Sequence, residues 1–227
     1  MGWYHTQMHP SPDLQWHSID TVLLDMDGTL LDLAFDNWFW LELIPREYAA
    51  ARGLDVEAAR QLLVPKFTRV TGTLPWYCID HWTRELDLDI RSLTRASLEQ
   101  VNFLPGADAF LKRLRKSGKR VVLVTNAHPE TLNIKNEKVA LKEHFDACYS
   151  THPFAAPKEN AQFWPRLLVA EQFSPERTLF VDDSLPVLKC AAAFGIAHLR
   201  AIRCPDSKQP PKLTTPFISV DRVAELL

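Results

Sequence analysis

Short apolar runs alternate with amphipathic stretches along most of the chain, and this alternation predicts the secondary structure. The apolar runs have the length and composition of buried strands, and they lie at residues 21–25, 120–125, 145–150, 178–182 and 197–203. Between the later runs the apolar residues recur with helical spacing, at residues 107–117, 130–143, 160–171 and 185–194. Strands that alternate with helices in this way predict an α/β fold with a doubly wound parallel sheet and right-handed crossovers.

One long region departs from this alternation. From residue 35 to about residue 102 the chain has no strand-like run, and its apolar residues keep helical spacing. Pro45 is expected to break the first helix there, and Asp55 and Asp89 are expected to cap two later ones. We therefore predict an all-helical cap at 35–102, inserted after the first strand. The other predicted units are a core formed by 19–34 and 103–227 and an N-terminal leader at 1–18.

Composition and charge narrow the classes of protein that fit. The chain has 227 residues, of which 46% are hydrophobic and 24% charged, as in globular proteins with a substantial core. Its net charge of −2 gives no field that attracts nucleic acid or an anionic membrane, and no apolar stretch approaches the roughly 20 residues of a membrane span. The four cysteines form no Cys-x-x-Cys pair, which indicates reduced thiols in a cytoplasmic protein and neither a disulfide framework nor a zinc site. Residues 1–6 fit an N-myristoylation pattern, and we interpret that short match as coincidence.

The first apolar run ends in two carboxylates, Asp25 and Asp27, which are followed at once by Gly28 and Thr29. In open α/β sheets, ligands bind at the carboxyl ends of the strands. Two acids this close together in low-dielectric surroundings repel each other and require a cation or a shared proton. A surface turn that happens to contain acids is the alternative interpretation, but four fixed residue types in five positions rarely occur by chance. The pattern therefore predicts a functional site at this edge of the sheet.

This Asp-x-Asp-Gly-Thr segment resembles the first motif of the haloacid dehalogenase-like hydrolases. Three later segments resemble the other motifs of that family, in the expected order. One strand ends in Thr125 and Asn126, and Lys158 stands just ahead of a helical stretch. A later strand ends in the acidic pair Asp182 and Asp183. The resemblance covers about residues 21–203 and implies the Rossmann-like core of the family.

The resemblance also implies a reaction. Asp25 is then the nucleophile that attacks phosphorus, and Asp27 is the general acid and later the general base. Because relatives that cleave carbon–halogen bonds need neither this second acid nor a metal, its presence indicates hydrolysis of phosphate esters. An acidic cluster of this kind requires Mg²⁺ or another hard divalent cation. The implied metal ligands are the Asp25 carboxylate, the Asp27 backbone carbonyl and Asp182, with Asp183 acting through water. The implied phosphate-binding groups are Thr125, the Asn126 backbone and Lys158.

Longer segments are similar to the bacterial GMP/IMP nucleotidases of this superfamily; they are residues 25–37, 125–129, 150–152, 157–159 and 176–180. This similarity implies that the small-molecule phosphate ester is a purine nucleoside monophosphate. The candidate specificity residues are Asp36, Asn37 and Trp38, where the chain passes into the predicted cap. We expect a monomer or a homodimer.

Two alternatives remain open. A phosphosugar phosphatase or phosphomutase would use the same core. A non-catalytic interaction protein with this fold would be expected to lack Asp25, Asp27 or Lys158, and all three are present.

Several other residues have weaker patterns. His128 is expected to approach the substrate, to cap a helix or to face solvent. Three lysines are interpreted as one solvated helix face; they are Lys135, Lys138 and Lys142. One or two of four tryptophans are expected to reach the substrate; these are Trp38, Trp40, Trp76 and Trp82.

Overall fold

The structure is a computed structural model that describes residues 14–227. Most of the predicted leader, including the myristoylation pattern at residues 1–6, therefore lies outside the described residues. The last part of that segment packs on the rest of the chain: Leu14 is buried, and the Trp16 indole Nε1 donates a hydrogen bond to the Leu226 carbonyl at 2.9 Å.

A six-stranded parallel sheet forms the centre of the molecule, with strand order β3-β2-β1-β4-β5-β6. The strands are β1 Thr21–Leu24, β2 Arg120–Thr125, β3 Ala147–Ser150, β4 Thr178–Asp182, β5 His198–Ile202 and β6 Ser219–Val220. The doubly wound parallel sheet and five of its strands confirm the predictions. The two-residue strand β6 was not predicted, because its pairing with β5 and not its own sequence gives it strand geometry.

Nine α-helices occur in the described residues. They are α1 Ala34–Trp38, α2 Ile44–Arg52, α3 Val56–Val70, α4 Ile79–Leu86, α5 Ile90–Ala96, α6 Ala107–Leu114, α7 Pro129–Val139, α8 Phe163–Glu171 and α9 Leu185–Phe194. Helices α1–α5 all lie between β1 and α6, and that region contains no strand. The fold therefore has the predicted helical insertion after β1, which we call the insertion (residues 34–100).

The ends of the insertion helices follow local sequence signals, with one exception. The Asp55 side chain accepts hydrogen bonds from two backbone N–H groups at the start of α3, and Asp89 does the same for one N–H group of α5. The prediction that Pro45 breaks the first helix is wrong. A π-helical turn, Phe39–Leu43, joins α1 to α2, and Pro45 lies in the first turn of α2, where a missing N–H group is tolerated.

Side chains alternate between the two faces of the sheet, so each face has its own apolar core. Val22 and Leu24 of β1 pack into a large cluster that continues into the insertion. Leu23 points to the other face and packs into a cluster with residues of α8 and α9. Because the first cluster is continuous, the insertion and this face of the sheet share one apolar core.

Candidate active site

The carboxyl ends of β1 and β4 are neighbours in the sheet, and this pairing brings two acids together. Asp25 follows β1 directly, and Asp182 is the last residue of β4. Between them lies the ammonium group of Lys158, with its Nζ 2.5 Å from Asp25 Oδ1 and 2.7 Å from Asp182 Oδ2. Lys158 also donates to the Val124 carbonyl, and only 2% of the residue is exposed. Burial of an unpaired ammonium group would be strongly unfavourable, and here two carboxylates compensate the charge of Lys158.

Burial and mutual repulsion shift the titration of these groups. Burial raises the pKa of Asp25 well above its ordinary value; Lys158 opposes the shift, and the charges of Asp182 and Asp183 add to it. Burial also raises the pKa of Asp182 to about 6 against the opposing charge of Lys158. For Lys158, burial favours the neutral amine, but the carboxylates of Asp182 and Asp25 outweigh it and raise its pKa. The lysine therefore stays an ammonium group.

The same edge of the sheet has the donor set for a hard cation. One carboxylate oxygen from each of Asp25, Asp182 and Asp183 lies within 4.8 Å of the other two. Three convergent carboxylates are a set of oxygen ligands that suits Mg²⁺. The turn after β1 passes close to Asp183 and requires a glycine. Gly28 has φ +84°, and a Cβ atom there would lie 2.8 Å from the Asp183 carboxyl carbon.

A second buried lysine holds the predicted general acid. The Lys135 Nζ lies 2.7 Å from Asp27 Oδ1 and 2.7 Å from Asp36 Oδ1, and the residue is 1% exposed. The prediction that Lys135 belongs to a solvated helix face is therefore wrong. A usable signal was present, because Lys135 lies three residues after Leu132 and four before Val139, on the apolar face of α7.

The charges around Lys135 are strongly coupled. Burial raises the pKa of Asp36 to about 6, with a further contribution from Asp27 and opposition from Lys135. Burial would lower the pKa of Lys135, but the carboxylates of Asp27 and Asp36 outweigh it and raise that pKa. Asp36 therefore compensates the charge of Lys135, which also holds Asp27. The Asp36 carboxylate, which was predicted to contact the substrate, is thus already paired with Lys135.

The two residues at the end of β2 have different environments. The Thr125 hydroxyl oxygen accepts a hydrogen bond from the Ala127 N–H at 3.0 Å, which leaves its proton available to a ligand. The side-chain oxygen of Asn126 accepts a hydrogen bond from the backbone N–H of Lys158 at 2.9 Å. The side-chain nitrogen of Asn126 donates a hydrogen bond to the Glu159 carboxylate at 2.8 Å. The amide of Asn126 thus fixes the loop that carries Lys158.

The insertion contacts this loop through a residue that the sequence did not indicate. The Tyr77 hydroxyl donates to Glu159 Oε1 at 2.7 Å, while Glu159 Oε2 accepts from Asn126. Burial, reinforced by the Glu159 charge, raises the pKa of Tyr77 above its ordinary value, so Tyr77 stays a donor. This chain of hydrogen bonds connects the insertion to the end of β2.

A cavity of about 400 Å³ lies over these groups. Its polar lining includes Asp25, Asp27, Asp36, Asn37, Thr125, Asn126, Lys135, Lys158, Asp182 and Asp183. Its aromatic lining is Phe35, Phe39, Trp40, Phe67, Trp76, Tyr77 and Trp82. The structure thus gathers the residues of all four predicted motifs at one cavity, under aromatic side chains of the insertion.

The candidate specificity residues divide into two groups. Asp36 and Asn37 line the cavity, but both are engaged: Asn37 donates to Asp206 Oδ2 at 2.7 Å, and Asp36 contacts Lys135. Trp38 is not among the lining residues and packs against the apolar core. Trp40 lines the cavity instead, because residues two apart on a helix lie on roughly opposite sides of it.

Two further side chains are placed by the structure. His128 caps α7, since its Nδ1 accepts a hydrogen bond from the Glu130 N–H, and it is not among the described residues that line the cavity. Lys212, which the sequence did not indicate, has its Nζ 2.8 Å from Asp183 Oδ2. No helix in residues 14–227 has the length and apolar character needed to cross a membrane.

Comparisons with known proteins agree with this geometry. A family model described as haloacid dehalogenase-like hydrolase matches residues 19–195. The chain is 43% identical over 195 residues to the GMP/IMP nucleotidase YrfG of Escherichia coli (strain K12), which covers 86% of this chain and 88% of that protein. It is 30% identical over 186 residues to a phosphoglycolate phosphatase of Nitrosospira multiformis, covering 78% of this chain and 80% of the relative.

A likeness to solved structures supports the fold independently. The crystal structure of an HAD phosphatase from Thermococcus onnurineus superposes with a TM-score of 0.76 at 19% sequence identity, covering 92% of this chain and 96% of the other. The chain is therefore an enzyme that belongs to the haloacid dehalogenase-like hydrolases.

Proposed function

We propose that this protein is a cytoplasmic phosphomonoesterase that depends on Mg²⁺ or another divalent cation and acts through an aspartyl-phosphate intermediate. We propose further that it is a purine 5′-nucleotidase, which hydrolyses GMP and IMP to nucleoside and phosphate. One observation carries the proposal: the buried carboxylate of Asp25, paired with Lys158, lines a cavity of about 400 Å³ that has aromatic walls. That volume lies within the range of about 300–1,000 Å³ that is usual for small-molecule sites.

The residues of the site have complementary roles in the proposed reaction. Asp25 attacks phosphorus, the bond to the ester oxygen breaks, and Asp27 gives its proton to the leaving oxygen. Asp27 then takes a proton from water, which attacks phosphorus and releases phosphate from Asp25. Lys158 and the Thr125 hydroxyl lie at the same cavity and stabilise the charge of the phosphoryl oxygens.

The acids of the site fit the divalent cation that the family implies. Its ligands would be the carboxylates of Asp25 and Asp182 and the backbone carbonyl of Asp27, with Asp183 acting through water. One carboxylate oxygen from each of Asp25, Asp182 and Asp183 lies within 4.8 Å of the other two. When bound, the cation neutralises charge on the carboxylates and on the phosphoryl group. The attack on phosphorus and the proton transfers of the proposed reaction belong to Asp25 and Asp27.

Two observations support a purine nucleotide as the substrate. The relative named as a GMP/IMP nucleotidase is 43% identical over most of both chains. The cavity also joins a phosphate-binding end, at Asp25 and Lys158, to an aromatic end with Trp40 and Trp76. Aromatic side chains stack on nucleobases, and each such contact contributes about 1–3 kcal/mol. We expect a monomer or a homodimer in solution.

A substrate panel tests the proposal. With Mg²⁺ present, we expect IMP and GMP to be hydrolysed well ahead of pyrimidine monophosphates and glucose 6-phosphate. Asp25→Asn should abolish turnover, because an amide is not a competent nucleophile, and excess EDTA should stop the wild-type reaction. Circular dichroism establishes that the variant is folded.

Different outcomes would contradict different parts of the proposal. Turnover near the wild-type level in folded Asp25→Asn, or full activity in EDTA, would refute the mechanism. A profile led by sugar phosphates would instead favour a phosphosugar phosphatase, and a product that keeps its phosphate at a new position would reveal a mutase.

A further inference from the structure

Three side chains of the types that commonly bind metals lie close together outside the candidate active site. Cys78 precedes α4 in the insertion, His128 precedes α7, and His152 follows β3. The Cys78 Sγ and one ring nitrogen from each histidine lie within 4.8 Å of one another. Neighbouring ligand atoms in a tetrahedral zinc site are about 3.3–3.6 Å apart, so movements of about 1 Å would complete the geometry. None of the three residues lines the catalytic cavity.

The hydrogen bonds of these residues leave atoms available for a ligand. His128 uses Nδ1 to accept from the Glu130 N–H at 3.2 Å, and its Nε2 lies 3.7 Å from a carboxylate oxygen of Asp80. The Nε2 of His152 is buried and has no hydrogen-bond partner among the described residues. Buried polar atoms almost always have a partner, so this nitrogen is available to accept a ligand.

Both histidines are in the form that binds metals. Burial, followed by the neighbouring His128, lowers the pKa of His152 to about 4, and burial also lowers the pKa of His128. The two imidazoles are therefore neutral at pH 7, as a metal ligand must be. The Cys78 sulfur accepts a hydrogen bond from the His81 N–H at 3.4 Å, a contact that stabilises a coordinating thiolate.

We propose that Cys78, His128 and His152 form a binding site for one thiophilic divalent cation such as Zn²⁺, separate from the carboxylate site. A thiolate and two imidazoles prefer Zn²⁺ over Mg²⁺, whereas the carboxylate cluster at Asp25 has the oxygen ligands that suit Mg²⁺. Asp80 or water completes the tetrahedron, as in other zinc sites with three protein ligands of this type.

The positions of the ligands give the site a structural consequence. Cys78 belongs to the insertion, whereas the histidines lie in the loops after β2 and β3, so the cation fastens the insertion to the sheet. The fastening point adjoins the substrate site: Tyr77, next to Cys78, donates to Glu159, which in turn holds Asn126. Bound Zn²⁺ should therefore raise the Tm, by about 5–10 °C at a hundredfold excess over its Kd.

The test measures metal binding directly and does not use phosphatase activity, so its result is independent of the proposed function. Chelator-treated protein in excess Mg²⁺ is titrated with Co²⁺ while the near-ultraviolet absorbance is recorded. Zn²⁺ affinity is then measured by competition with a chromophoric chelator. We expect one cation per chain and a thiolate-to-Co²⁺ charge-transfer band.

Three variants assign the ligands. Cys78→Ser should abolish the charge-transfer band, and both Cys78→Ser and His152→Gln should weaken Zn²⁺ binding by more than about 100-fold, the upper end of the loss caused by removing a second-shell partner. Cys204→Ser removes another free thiol and should bind Zn²⁺ like the wild type. Circular dichroism checks the fold of each variant, and His152→Gln tests the site even where Cys78→Ser fails to fold.

Three results would overturn the proposal. They are a wild-type protein without the thiolate band, a Zn²⁺ affinity that is unchanged in folded His152→Gln, and displacement of Zn²⁺ by millimolar Mg²⁺.

Discussion

Two buried lysines fix the carboxylates of this site, and each contacts two of them. Lys158 lies between Asp25 and Asp182, whereas Lys135 lies between Asp27 and Asp36. The proposed nucleophile Asp25 and the proposed general acid Asp27 are thus held by different ammonium groups, although they are only two residues apart in the chain. In the proposed reaction, this arrangement separates charge compensation at Asp25 from the positioning of Asp27.

Replacement of Lys158 tests the first of these roles. A dianionic phosphate ester must approach several carboxylates, and charge-stabilising donors of this kind contribute about 2.7–4 kcal/mol in the transition state. We predict that Lys158→Ala lowers kcat/KM by roughly 10²–10³-fold, measured with IMP and Mg²⁺. Lys158→Arg should restore little, because a planar guanidinium does not replace a compact ammonium group.

The exposed Lys116 provides a surface control, and Lys116→Ala should retain full activity. A value within about twofold of the wild type for folded Lys158→Ala would remove Lys158 from the mechanism, since 1.36 kcal/mol already corresponds to a tenfold change.

Replacement of Lys135 tests the second role. Lys135→Met leaves Asp27 and Asp36 without their shared partner, so we expect the free energy of unfolding to fall by about 3–5 kcal/mol. The proposed general acid, Asp27, also loses its position, and a misplacement of about 1 Å costs up to about 10²-fold in kcat. Chemical denaturation and steady-state kinetics measure the two effects.

Lys138→Met is the matched control on the same helix, because Lys138 contacts the exposed Glu99. Its effect on unfolding should stay within about 0.5 kcal/mol. Adding Asp36→Asn to Lys135→Met should recover part of the stability but not the turnover; a double variant with wild-type kcat would contradict the positioning role.

At the scale of elements, the loops after parallel strands carry the chemistry. The ends of β1, β2 and β4 contribute Asp25, Thr125 and Asp182, and the loop after β3 leads to Lys158. The strands themselves are apolar and offer few chemical groups. The residues that give the site its chemical character are therefore the few that end or follow each strand. The same loops also place His128 against His152, with ring centroids 4.8 Å apart.

The half-buried imidazole of His152, after β3, should make stability depend on pH. Burial lowers the pKa of His152 to about 4, whereas the unfolded chain has the ordinary value near 6.5. Between these values the unfolded state binds more protons, so the contribution of His152 is complete above pH 6.5 and is lost as the pH falls toward 4. After a discount for partial exposure, we expect a loss of about 1–2 kcal/mol over this interval.

Thermal unfolding at pH 4–7 in EDTA measures this dependence. His152→Gln should reduce the rise of stability with pH in that interval, whereas His17→Gln, at an exposed position, should leave the profile unchanged. An identical slope for His152→Gln and the wild type would show that His152 does not titrate as the structure indicates.

At the scale of the molecule, the insertion and the sheet share one apolar cluster and one cavity. The part of the fold outside the insertion contributes most of the charged groups of that cavity, whereas the insertion contributes Asp36 and all seven aromatic lining residues. Selectivity for the leaving group should therefore be separable from the chemistry at phosphorus.

Trp40→Ala tests this separation. Loss of a stacking side chain costs about 1–3 kcal/mol per base, so we predict that KM for IMP rises by about 5–150-fold. KM for ribose 5-phosphate, which has no base, should change little. Trp38→Ala serves as the control because Trp38 is not among the lining residues; an equal loss for both substrates in Trp40→Ala would rule out recognition of the base by Trp40.

The sequence by itself determined the parallel sheet, the helical insertion and the positions of the four motifs. These features have local signals, because an apolar run that ends in polar residues defines both a buried strand and the chemistry at its end. Parallel strands share one carboxyl edge, so Asp25, Thr125 and Asp182 were expected to converge without any knowledge of distances. The boundaries of the insertion as a domain, and the role of each site residue, stay predictions.

Only the tertiary structure decided which partners those residues have. Lys135 and Asp27 are 108 residues apart in the chain, so the helix face of Lys135 can indicate that it is buried but not which acids it contacts. The contact of Tyr77 with Glu159 and the cluster at Cys78 likewise join the insertion to the sheet across long separations. Helical periodicity shows which residues share a face, but what that face packs against depends on how the whole chain folds.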